Sequence, residues 1–216
     1  CGNLFQWGRY SGVDATVNPP DGNIVFDYPV GVEGGGLPDM TDWDGKHIIT
    51  NAENPALQYN WLQFVAGQDN PEDSEMVKNA WYQQLWNANE GTSNADVAKT
   101  INDPCPKGWR VPTLDEWKTI GAGQEPDQSG TQWDDANKRL TVPGKESGKN
   151  FILPAAGRRL YSVGSFYYQG TSGQYWSSSV LNAGRKAHAV YFDSLGKLRT
   201  DPNERAYAYS IRCIQE

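Results

Sequence analysis

Little in this sequence is placed for covalent chemistry. Ser177, Ser178 and Ser179 follow Trp176 in a row, yet no Gly-x-Ser-x-Gly frame presents one of them as a nucleophile. Their hydroxyls are expected to satisfy backbone groups beside a buried tryptophan. His188 is one of only two histidines, has no evident catalytic partner, and the pair is too few for a His-rich metal site. The three cysteines, Cys1, Cys105 and Cys213, show no zinc spacing, and their odd count leaves one unpaired within the chain or paired elsewhere. Cys1-Gly2 fits a lipidated N-terminus exposed by signal cleavage, and fits equally a boundary inside a longer protein.

What the residues offer instead is recognition chemistry. Between Val180 and Arg205 stand Asn182, Arg185, Lys186, His188, Asp193, Lys197, Arg199, Asp201 and Asn203. Adaptable polar groups on a fixed frame are the usual makings of a binding face. Tyr161, Tyr167 and Tyr168 supply candidate aromatic anchors.

The elements that would hold these residues are short. With 23 Gly, 13 Pro, 9 Trp and 11 Tyr in 216 residues, the chain reads as ordered strands and turns rather than disorder. A strand is expected at Leu4–Trp7, followed by a long irregular loop insertion over 11–60. Val77, Trp81 and Leu85 predict a helix over 74–86. Thr113-Leu114-Asp115-Glu116 is a capping box, so a short helix follows with Leu114, Trp117 and Ile120 inward, ending at Gly121 and Gly123. Strands are expected at 151–154, 175–179 and 187–192. Tyr207, Tyr209, Ile211 and Cys213 would share one face of a last strand. The expectation is one α+β domain over 1–216, helices early and sheet late. Net charge of -7 argues against nucleic acid or an anionic membrane as partner, and no apolar run approaches the ~20 residues of a membrane span.

Cys105-Pro-Lys-Gly-Trp-Arg-Val-Pro-Thr113 with Glu116-Trp117 resembles the signature of the Fibrobacter succinogenes major paralogous domain family of Bacteroidetes surface proteins. Leu4–Arg9, Leu153–Gly157, Gly173–Ser179 and Arg205–Ile214 resemble it further, in the same order. The resemblance implies a C-type-lectin-like fold, which also includes the formylglycine-generating enzymes: two helices flanking a twisted antiparallel sheet, paired terminal strands and long irregular loops. It implies an exported protein with a Cys105–Cys213 disulfide, found among lipoproteins, adhesins and pilus-tip modules, and an architecture close to retroelement-diversified variable proteins. The cysteine pair of the formylglycine-generating enzymes is not matched here, since Cys213 stands alone near the end. Glu125-Pro126-Asp127 and Trp133-Asp134-Asp135 resemble lectin calcium ligands but fall soon after the Thr113 helix, well before the strands that carry those ligands. No cofactor is therefore expected. The function expected is non-enzymatic binding of a glycan or protein on another surface, through Tyr167, Tyr168 and the polar residues of 180–205. The alternatives are a structural or tip subunit of a pilus and a carbohydrate- or protein-modifying enzyme.

Overall fold

The computed structural model describes residues 4–9, 85–87, 97–123, 130–144, 148–162, 164–181 and 186–216. The longest strands are β8 (Ser172–Leu181), β9 (Lys186–Asp193) and β10 (Arg199–Glu204), which form an antiparallel sheet in the order β10-β9-β8. A second sheet joins four two-residue strands in the order β1 (Phe5–Gln6), β11 (Ala208–Tyr209), β6 (Arg158–Arg159) and β7 (Phe166–Tyr167). The strands β3 (Gln132–Asp134), β4 (Arg139–Pro143) and β5 (Asn150–Pro154) make a meander, and β2 (Trp109–Arg110) pairs with β12 (Ile214–Gln215).

The α+β expectation of two helices flanking one lectin-type sheet is corrected. Among the described residues 47% are strand and 5% helix, and the helix is a single short one, α1 (Leu114–Thr119). Its brevity has a local cause: Pro112 precedes the cap, while Gly121 and Gly123 leave the helix at φ of 96° and 70°. The helix predicted over 74–86 lies outside the described residues except for Leu85 and Trp86, which sit in a bend.

The β8–β9 ladder divides the core by its pleat. Trp176 stands opposite Ala189, and both join Trp7, Trp86, Val111 and Tyr209 on one side. Tyr175 stands opposite Val190, and both join Trp117, Leu140, Leu153 and Phe192 on the other. Small residues let the large ones close: a side chain on Gly173 would come within 2.4 Å of the Phe192 ring. Each buried indole hands its N–H to a distant carbonyl, which satisfies a donor that burial would otherwise orphan. Trp7 donates to Ser177 O at 2.8 Å and Trp176 to Phe5 O at 2.7 Å, a reciprocal pair that binds β1 to β8. Tyr207, Ile211 and Cys213 pack on the same cluster as Tyr209, as their alternation predicts, and Cys105 is bonded to Cys213.

The capping box of α1 is complete. Thr113 Oγ1 accepts from Glu116 N at 3.2 Å, and Glu116 Oε2 accepts from Thr113 N at 2.9 Å. Among the described residues no helix is long and apolar enough to cross a membrane.

Candidate functional site

The β9–β10 hairpin carries most of the residues predicted to bind, and its register sorts them between two faces. Tyr191 stands opposite Arg199, Ala189 opposite Asp201 and Ala187 opposite Asn203. Asp193 shares this face, as do Ser172 and Gln174 of β8. Lys186, His188, Pro202 and Glu204 occupy the opposite face. There Lys186 Nζ lies 3.4 Å from Glu204. Burial lowers the His188 pKa, the Lys118 charge on α1 lowers it further, and Asp201 opposes both.

The first face is the floor of a cleft of about 470 Å³, within the usual range for small-molecule sites. The facing wall comes from the four-stranded sheet: Arg158 of β6, Tyr168 just after β7 and Tyr209 of β11. Tyr168 is held at a φ of 58°, uncommon for an aromatic residue, while 52% of it stays exposed. Its carbonyl fixes the turn by accepting from Thr171 N at 3.1 Å and Ser172 N at 3.0 Å. This loop can lie so close only because residue 157 is glycine, since a Cβ there would meet the Tyr167 carbonyl at 2.4 Å. The Tyr167 and Tyr168 rings meet edge-on at 4.9 Å. The Arg158 guanidinium lies 5.5 Å from the Tyr168 ring centre and 5.0 Å from that of Tyr207.

The polar groups of the floor are fixed by a short relay. Ser172 Oγ donates its only hydrogen to Phe192 O at 2.6 Å, so it can only accept from its other neighbour. That neighbour is Gln174 Nε2, at 2.7 Å, which settles the orientation of the amide. Gln174 Oε1 is left buried with no hydrogen-bond donor among the described residues. The buried Tyr209 hydroxyl also lacks a hydrogen bond of good geometry, as does Arg158 Nε. Burial drives the Tyr209 pKa far up, with the nearby Arg158 charge in opposition. Asp193 is turned towards the hairpin, accepting from Leu195 N at 2.9 Å and facing Arg199 at 3.5 Å. Asp201 accepts from Asn203 Nδ2 at 3.2 Å.

Of the residues predicted from sequence, Tyr168, Asp193, Asp201 and Asn203 line the cleft. Tyr167 stands beside it, and Arg199 lies at its edge, 5.8 Å from the Tyr191 ring centre. Lys197 is exposed in the β9–β10 turn, whereas Lys186 and His188 belong to the other face. Asn182, Arg185 and Glu125-Pro126-Asp127 lie outside the described residues. Asp134 and Asp135 are engaged in the β3–β4 turn by Asn137, Arg139 and Lys138. Ser177 Oγ donates to the backbone carbonyl of His188 at 2.8 Å, and Ser179 Oγ accepts from Leu114 N at 3.0 Å. Arg158, Gln174 and Tyr191 were not among the residues predicted to bind. The available signal for Gln174 was a polar residue at an inward-facing position two before Trp176.

The family described as Fibrobacter succinogenes major domain matches residues 39–215. Neither a curated protein nor a solved structure matches the chain.

Proposed function

We propose that this chain, which belongs to the Fibrobacter succinogenes major domain family, is an exported domain that binds a ligand on another surface, without catalysis, in the cleft between the β10-β9-β8 sheet and the β6–β7 hairpin. The observation that supports this is the cleft floor, where the β8–β9 ladder holds the buried Gln174 Oε1 without a donor among the described residues. The Cys105–Cys213 disulfide supports export, since such bonds persist in oxidising compartments.

Two carboxylates, Asp193 and Asp201, line the cleft, so hydrolysis of a glycosidic bond is the rival to weigh. Asp201 is paired with Ala189, four residues before Asp193 on β9. That offset sets their backbones about 13 Å apart along the strands. Paired glycosidase carboxylates face each other across roughly 5–10 Å between the carboxyl groups, whereas here Asp193 is engaged by Leu195 N and Arg199 and Asp201 by Asn203. With Asp193 turned to the hairpin, binding is the better account.

The test is adhesion of the labelled domain to cell surfaces, wild type against Asp201→Ala/Asn203→Ala. Loss of adhesion at an unchanged melting temperature is expected, since neither residue is buried. Equal adhesion would place the site elsewhere.

A further inference from the structure

We infer that the cleft takes a neutral polyhydroxylated ligand, a saccharide, with Gln174 Oε1 as an acceptor at its floor and the rings of Tyr168 and Tyr191 as its apolar contacts; this rests on the cleft being the ligand site. Mixed charge disfavours a ligand of either single sign. Asp193 faces Arg199 at 3.5 Å, and the lining further carries Asp201 and Arg158, so the formal charges at the cleft cancel. An anion would meet two carboxylates, and a cation would meet the Arg158 guanidinium.

Hydrogen bonding points the same way. The polar lining mixes an acceptor that lacks a donor (Gln174 Oε1) with the Arg158 guanidinium, a donor, and the Tyr209 hydroxyl beside it, which is both. A sugar hydroxyl donates and accepts at once, so neighbouring hydroxyls on one ring can serve such a mixed set. An extended peptide is disfavoured because the floor is the face of a sheet. Strand addition needs a sheet edge, and the backbone groups of β9, the middle strand of this floor, are already paired on both sides. The exposed Tyr168 ring and the Tyr191 ring supply the apolar surface that the C–H face of a pyranose needs.

The experiment is a printed array of neutral, sialylated and sulfated glycans, followed by calorimetry with the best free oligosaccharide. Wild type is compared with Asp201→Ala, Gln174→Met and Tyr168→Asn, the last keeping a residue that tolerates positive φ. Lys197→Ala in the exposed turn is the control. Neutral glycans alone should bind, each cleft variant should weaken binding about tenfold or more, and the control should match wild type. Charged glycans bound through the cleft residues would overturn the ligand class and leave the cleft as the site. Neutral glycans bound equally by every variant would overturn both. An array with no bound glycan would overturn the saccharide alone, the cleft being judged by cell adhesion.

Discussion

Two buried polar clusters in this molecule are built on opposite terms. In the corner beside the disulfide, the Asp103 carboxylate accepts from Cys105 N at 2.8 Å, Val111 N at 2.9 Å and Lys99 Nζ at 3.0 Å. Lys99 donates as well to the carbonyls of Cys105 and Trp109, at 2.6 and 2.7 Å. Burial raises the Asp103 pKa, and all three donors work against that rise. Every partner lies within a dozen residues, so the segment satisfies itself. In the cleft floor, by contrast, Gln174 Oε1 is also buried and keeps no donor among the described residues. The same fold thus closes one such cluster completely and leaves the Gln174 acceptor of the other open, which is the contrast the proposed binding rests on.

The contrast can be broken by experiment, and the largest effect belongs to the closed corner. Replacing Cys105 and Cys213 together by Ala opens a loop of 108 residues and should cost about 4–5 kcal/mol in urea unfolding by the chain-entropy account. A loss below about 1 kcal/mol would mean that the corner holds itself without the bond. Next comes Asp103→Ala, which leaves two buried amides without an acceptor and Lys99 without its counter-charge. A cost of about 3 kcal/mol or more is expected from the same measurement. Gln174→Met sharpens the comparison from the other side. It removes an acceptor that already lacks a donor, so stability should change by only about 1 kcal/mol in either direction. Should it cost as much as Asp103→Ala, the floor is a closed cluster after all.

The smallest effect tests how far the satisfied corner extends into the cap of α1. Burial alone would raise the Glu116 carboxyl, but the Arg110 guanidinium and the Thr113 amide outweigh it and hold the pKa below the usual 4.5. A lowered folded pKa gives stability that is complete above pH 4.5 and is lost as pH falls through the folded value. Wild type should therefore lose stability more steeply in that acid window than Glu116→Gln, by under about 1 kcal/mol. Parallel curves would show that the pair contributes nothing.

The α1 cap and the disulfide were legible in the sequence, the Asp103–Lys99 cluster beside them was not, and the cleft was legible only in part, for a physical reason. A capping box lies within four residues, and the Cys105–Cys213 pairing followed from two motifs with a family resemblance. Alternation at 187–192 identified β9. What could not be read was register. Lys186 and His188 belong to the segment predicted to bind, yet pairing with Glu204 and Pro202 sends them to the α1 side. The two-residue strands β6 and β7 carry no period of their own, so Arg158 could not be placed across from Gln174. The α+β expectation failed likewise, because strands this short exist only through partners distant in the chain.

The pairing of β1 with β11 sets a timetable. Gln6 donates to the carbonyl of Ala206, 200 residues away, and Phe5 stands opposite Tyr209. Chain closure over that span is slow, and the first strand has no partner until nearly all of the sequence is available. The Trp7 and Trp176 indoles cannot exchange their carbonyl partners any earlier. A domain so wired closes its β1–β11 sheet late, after the strands between have been made.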